Sequence, residues 1–187
     1  MAKDPQRRAA WTEAATDYVL EHGLIGLSLR PLAAALGTSD RMLIYHFGSK
    51  DELVVDVMRC SNDRAVTQIA ALPASRGIRA AVEDLWAAVQ TDPTNRCTRM
   101  YIQAAALGLL GREPYSSAVR TANAVWMAAL VAHLVGSGVD RPIAERAAAM
   151  IDAAFMGFQL DQPLDTDPTA RDRAVADLGV AVAALSS

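Results

Sequence analysis

An all-helical fold is what this sequence predicts, and three observations predict it. Apolar residues recur at three- and four-residue spacing over most of the chain. Alanine is abundant while β-branched residues are scattered, which favours helix over strand. Glycine, proline and Ser-x-x-Glu signals then cut the pattern into about nine segments. With 187 residues, 52% of them hydrophobic, the chain is long enough to bury a sizeable core.

The first helix is expected over 5–22, with Trp11, Ala15, Tyr18 and Val19 on one buried stripe and Gly23 ending it. His22, before that glycine, sits well against the negative end of the helix. Ser28 is placed to cap a second helix, whose first turn tolerates Pro31 because an N–H there has no partner to lose. Leu29, Leu32, Ala33 and Leu36 form its apolar face, and Gly37 stops it. A third helix runs from about Ser39 to Phe47. Ser49-Lys50-Asp51-Glu52 has the form of a capping box, so a fourth starts at Ser49 and reaches toward Leu72. Beyond Pro73 and Gly77, helices are expected at 76–91, 93–110, 113–136, 141–160 and 168–185, with Asp167 capping the last.

Several function classes find no support. No run of about 18 uncharged apolar residues predicts a membrane span, and the N-terminal segment lacks a secretory apolar core, so a cytoplasmic protein is expected. Cys60 and Cys97 stand in no ligand spacing and read as reduced, helix-packed residues. His22, His46 and His133 are too far apart for a local metal motif. No cofactor loop, metal site or nucleophile–base arrangement is visible, so an enzyme is not expected.

The net charge of −3 is unevenly distributed. Residues 1–50 carry Lys3, Arg7, Arg8, Arg30, Arg41 and Lys50 against Asp4, Glu13, Asp17, Glu21 and Asp40, a local +1 that leaves −4 for the remainder. A weakly basic head on an acidic body suits a small footprint on a polyanion. Arg7 and Arg8 read as solvated charges, with an arm touching nucleic acid as the alternative.

Two short helices across a turn at Gly37 have the sequence form of a helix-turn-helix, and the second carries side chains able to reach phosphates or base edges. The stretches Ala14–Gly23, Leu27–Gly37 (LSLRPLAAALG) and Tyr45–Leu53 (YHFGSKDEL) together resemble the DNA-binding head of the TetR family of bacterial transcriptional regulators. The resemblance covers about a quarter of the chain, and it implies contacts to DNA from Ser28, Arg30, Thr38, Ser39, Arg41, Tyr45, His46 and Lys50. Arg30 and Arg41 suit guanine, whose O6 and N7 a guanidinium can span. Tyr45, His46 and Lys50 would serve phosphates. Two positions depart from the family pattern: Ile44 replaces a common tyrosine, and Asp40 replaces a frequent cation. Asp40 is left with three roles, a cap, a cytosine contact or a pair with Arg41.

On this reading residues 1–48 are the DNA-binding domain and 49–187 a helical body for effector binding and dimerisation. The candidate pocket residues are Trp86, Met100, Gln103, Asn123, Trp126, Met127, Leu130, His133 and Phe155, with Gln159 as a further wall. Each is also an ordinary core position. Charge is nearly absent over 100–110 and 121–139, so the effector is expected to be apolar or weakly polar. Ala147, Ile151, Ala154 and Phe158, with Ala174, Leu178, Ala181 and Leu185, form two stripes that suit a homodimer seam or internal packing. The resemblance implies a repressor released from a palindromic operator by a small molecule. A small helical enzyme or carrier with an architectural helix-turn-helix, and a regulator without an effector, remain the alternatives.

Overall fold

The structure, a computed structural model, describes residues 4–164 and 167–186. Lys3 and the middle of the 163–168 connection lie outside them. Nine α-helices are present among the described residues: α1 (Pro5–His22), α2 (Leu29–Ala35), α3 (Asp40–Phe47), α4 (Lys50–Ala70), α5 (Ile78–Gln90), α6 (Thr94–Leu109), α7 (Tyr115–Gly136), α8 (Arg141–Asp161) and α9 (Pro168–Ala183). No strand occurs among the described residues, so the all-helical expectation holds.

The helix ends follow local chemistry. Asp4, not singled out from the sequence, caps α1 by accepting from the Gln6 and Arg7 amides at 3.0 and 3.3 Å. Ser39 Oγ caps α3 through the Met42 amide, and Ser49 Oγ caps α4 through the Glu52 amide. Ser28 occupies the cap position of α2 in extended backbone, yet its hydroxyl makes no capping bond. The expected Ser28 cap is therefore corrected: the position is right and the hydrogen bond is missing. Gly48 follows α3 with φ +98°, a conformation that any Cβ would strain. A Cβ there would also approach Glu52 Oε2 to 2.6 Å.

The chain packs as two compact units. The first ends at Arg64 and includes Arg96–Asn123; the second comprises Ala65–Asn95 with Ala124 onward. These bounds differ from a division at 48/49, because Leu53, Val54, Val57 and Met58 of α4 and Met100 and Ala104 of α6 bury with the head residues.

The core of the first unit gathers Ala15, Val19, Leu32, Leu43 and Phe47 around the buried side of α4. Polar staples cross it. Arg8 donates from Nε to Asp56 Oδ2 at 2.9 Å, pairs with the same oxygen from Nη2 at 2.7 Å, and lies 5.3 Å from the Phe47 ring centre. Its Nη1 reaches the His46 carbonyl at 3.5 Å, and Arg59 holds the second oxygen of Asp56. Arg8 is thus a packed residue joining α1, α3 and α4, which corrects its reading as a solvated charge or arm. Arg64 makes a second α1–α4 staple, pairing with Glu13 and Asp17. The Arg64 hydrogen bond holds the Glu13 carboxyl below the ordinary carboxylate range.

In the second unit, α5, α8 and α9 bury Val82, Leu85, Ala147, Ile151, Val175 and Val182, with Leu130 and Leu134 of α7. The proposed seam of Ala147, Ile151, Ala154 and Phe158 is corrected here: Ala147 and Ile151 are wholly buried inside this core, and Phe158 packs on Trp86. Leu178 of α9 and Leu185, just past its end, also pack inward. The outward apolar residues of α8 are instead Ala149, Met150, Ala153, Gly157 and Leu160.

Helix α7 requires a second correction. It is long and apolar enough to cross a membrane, although 22% of its most apolar stretch is buried within the chain. Arg120, Asn123 and His133 interrupt its apolar run without making it polar on average. Cys60 and Cys97 are free thiols, as expected. Burial pushes the Cys60 thiol up, so it is held as a packing group.

Removing Asp56 strands two guanidinium groups, one of them against an aromatic ring. Breaking a buried pair costs about 3–5 kcal/mol, and the part-exposure of Arg8 reduces this to about 2–3 kcal/mol for Asp56→Ala. Urea unfolding measures the loss; an unchanged midpoint would contradict the staple.

Candidate functional site

Helix α3 buries Leu43, His46 and Phe47 and turns Asp40, Arg41 and Ile44 outward. This is the period of one helical turn, so burying three anchors on one side fixes which residues face solvent on the other. Helix α2 packs on α3 and exposes Ser28, Arg30, Ala34 and Ala35. The outward surface of the motif is therefore Ser28 and Arg30 from α2 with Ser39, Asp40, Arg41 and Ile44 from α3. Thr38 and Tyr45 stand half-buried at its border.

Asp40 uses its carboxylate on the Arg41 backbone amide at 2.8 Å. This settles two of the roles left open: Ser39 caps the helix, and the Arg41 guanidinium is not paired with Asp40. Arg30 and Arg41 make no ion pair among the described residues, and both are exposed. Unpaired, exposed guanidinium groups on two neighbouring helices suit anions or guanine edges.

His46 and Lys50 are placed differently from the expectation. His46 is 3% exposed, with Trp11 edge-on at 4.9 Å and Tyr45 at 5.1 Å, and its buried Nδ1 has no partner. It packs within the head, so a phosphate-facing imidazole is corrected to a core residue. Lys50 donates from Nζ to the Leu27 carbonyl and thereby ties the start of α4 to the approach of α2. The side chain is half-buried, and its ammonium is committed at one point to the protein itself.

The candidate pocket residues divide between the units. Met100 belongs to the core of the first, with Gln103 and Asn123 also in that unit. Gln103 Oε1 accepts from the amides of Leu24 and Ile25 at 2.8 and 3.0 Å, fixing the α1–α2 connection. Its expected effector role is replaced by a structural one. In the second unit Trp86, Leu130 and Phe155 share one core, with Trp126 and Met127 packed against it. Trp86 meets Phe155 at 5.0 Å and Phe158 at 5.6 Å.

Polar groups interrupt that apolar core. Trp126 Nε1 donates to Asp152 Oδ1 at 3.0 Å. Burial raises the Asp152 carboxyl above its ordinary range, opposed by that indole bond. Gln159, 6% exposed, donates to the Val89 carbonyl at 3.5 Å while its Oε1 has no partner. Gln90 Nε2 is likewise buried without a partner. Asp152 and Gln90 were not legible as site residues, since single polar residues in a helical repeat look like solvent-facing positions.

A serine, an aspartate and a histidine also come together. Ser75 Oγ donates to Asp84 Oδ2 at 2.5 Å and lies 3.3 Å from His133 Nε2. The hydroxyl proton is engaged by the carboxylate, so Nε2 must donate to Oγ and cannot act as its base. The Ser75 amide donates to Ser137 Oγ at 3.0 Å, making a latch between the α4–α5 connection and the end of α7. Burial lowers the His133 pKa, with the Asp84 charge opposing. Among the described residues no group of three metal-ligating side chains occurs.

A three-helix head with an exposed, cation-bearing face on the helix after a glycine turn has the form of a helix-turn-helix. Residues 12–57 match the family model described as bacterial regulatory proteins, tetR family. The fold extends the likeness over the whole length. A transcriptional regulator of Rhodococcus sp. Rha1 superposes with a TM-score of 0.74 at 22% identity, covering 94% of this chain and 95% of that chain. A regulator of Streptomyces coelicolor A3(2) gives 0.70 at 23%, covering 98% and 99%. The multidrug binding protein EbrR, complexed with imidazole, gives 0.69 at 23%, covering 96% of each. No curated protein matches the chain in sequence.

Gln103→Leu keeps the side-chain volume but leaves the Leu24 and Ile25 amides without their acceptor. Hydrogen exchange at these two amides should accelerate by about tenfold or more, the size of one lost bond. Unchanged exchange there would show that Gln103 does not hold the connection.

Proposed function

We propose that this protein is a homodimeric transcriptional repressor that releases a palindromic operator when a small molecule binds its helical body. Residues 1–48 read DNA, and 49–187 serve effector binding and dimerisation. The observation that carries the reading is the outward face of α2 and α3, where Arg30 and Arg41 stand exposed and unpaired beside Ser28, Thr38 and Ser39. The short α3 spans about 12 Å at 1.5 Å per residue, enough for only a few base pairs. A twofold dimer doubles that contact, and this favours an inverted-repeat operator. Ile44, 37% exposed between the polar residues of α3, suits the methyl group of thymine. Such a protein works in the bacterial cytoplasm, where the DNA is.

Dimerisation is supported by the outward faces of α8 and α9. Met150 is 40% exposed, Leu160 55% and Val180 51%, with small residues Ala149, Ala153, Gly157, Ala181 and Ala184 around them. A face of that composition is costly to leave in water and permits close helix approach. Effector response is supported by the polar groups left unsatisfied in the second unit, and by EbrR, a fold neighbour described as multidrug binding and complexed with proflavin.

Light scattering at micromolar concentration should give a dimer, and Met150→Glu should give a monomer, since the charge would be buried without a partner. A monomeric wild type would remove the dimer from this reading.

The head separates readers from clamps. Arg41→Ala should cost about 1–3 kcal/mol per half-site and relax one or two base preferences, and Arg30→Ala should behave alike. Lys50→Ala should weaken operator and unrelated DNA equally and leave the preferred sequence intact, because the ammonium held on the Leu27 carbonyl keeps N–H donors only for phosphate, and a phosphate contact carries no sequence information. Selection from randomised DNA with the three variants tests this; a changed preference in Lys50→Ala alone would reverse the roles.

A further inference from the structure

We infer that the second unit holds a binding site for an elongated aromatic cation, built from Asp152 and Gln159 of α8 around the Trp86–Phe155–Phe158 cluster. The inference rests on the effector-responsive reading above and supplies the chemical class of its ligand. It revises the expectation of a weakly polar effector: the body of the molecule stays apolar, but it carries one positive charge.

Four observations converge. Asp152, Phe155, Met156 and Gln159 follow the i, i+3, i+4, i+7 spacing and so share one face of α8. Asp152 and Gln159 stand about 10 Å apart along the axis at 1.5 Å per residue. Asp152 is half-buried and accepts only the Trp126 indole N–H; no cation pairs with it among the described residues. A carboxylate withdrawn from water without a counter-charge is a standing cost to the fold, and an ionic ligand is one way to offset it.

Gln159 is the second polar end. It is 94% buried by its 6% exposure, its nitrogen is occupied by the Val89 carbonyl, and its Oε1 is without a donor. Phe155 falls between the two polar ends along α8, and its ring packs on Trp86 at 5.0 Å, with Phe158 5.6 Å from the same indole. Aromatic faces attract cations and flat rings alike. The two open positions at the ends, a carboxylate and an amide oxygen, both accept. A molecule with N–H donors and a positive charge satisfies them; an anion or a pure acceptor satisfies neither. Gln90 Nε2, also buried and unpaired, offers one donor for an acceptor on the ligand.

The test uses two isosteric probes with an N–H donor at each end, 4′-aminobiphenyl-4-carboxamidinium and the neutral 4′-aminobiphenyl-4-carboxamide, titrated by calorimetry into the full-length protein without DNA. The wild type should bind the amidinium about tenfold more tightly than the amide, the size of one charge-assisted hydrogen bond. Asp152→Asn keeps the shape and the indole partner, and it should erase that preference. Gln159→Leu should weaken both probes, since both carry the amino donor at the far end. Equal binding of the two probes by the wild type, a preference that survives in Asp152→Asn, or no binding of the amidinium would each overturn the site. Gln159→Leu that raises the melting temperature and leaves both affinities unchanged would also overturn the acceptor role, by showing a plain buried defect. Probe binding as expected with operator affinity unaltered would support the site and contradict ligand-controlled release. Operator release by other molecules, with no amidinium binding, would do the reverse.

Discussion

The pairing of Arg8 with Asp56 is the constraint on which the head depends. An eight-residue helix such as α3 is too short to persist alone, because helix nucleation is unfavourable and few bonds follow it. Its direction must come from what it packs against. Leu43 and Phe47 supply the apolar anchor, and Arg8 fastens α1 to α4 while touching both the Phe47 ring and the His46 carbonyl. With those contacts set, Arg41 and Ile44 have one direction left to face. The outward face proposed to read DNA is thereby aimed by residues packed inside the head, His46 among them.

The second unit shows the opposite use of polarity. Where the head closes its buried charges with partners, the region around α8 leaves an aspartate with no cation and a glutamine oxygen with no donor. Well-packed cores rarely keep such groups, because each costs stability that an apolar residue would not. Their retention beside an aromatic cluster is the physical signature expected of a surface meant to be completed by something else. In the same unit Ser75, Asp84, His133 and Ser137 are joined by hydrogen bonds into a latch, in contrast to the region around α8.

The sequence was most informative where structure is local. Helix ends were legible because Ser39, Ser49 and Asp167 act within two or three residues, and the glycine turn between α2 and α3 is written in a handful of letters. Long-range partners were not legible. Arg8 and Asp56 are 48 residues apart, and Gln103 lies 79 residues from Leu24, so nothing in either neighbourhood announces the other. Periodicity also says which residues face inward without saying toward what. That is why Ala147 and Ile151 read as a seam between copies and are core, and why Gln103 read as a pocket wall and is a brace.

The most direct measurement is a selection of genomic fragments by the purified wild-type protein at moderate salt, followed by sequencing of the bound DNA. A regulator that reads through α3 of two related subunits should enrich one short inverted repeat, its half-sites centred about one helical turn or a multiple of it apart. Recovery of fragments with no common sequence, or binding that is the same for every fragment and vanishes evenly with salt, would contradict sequence-specific reading by this head.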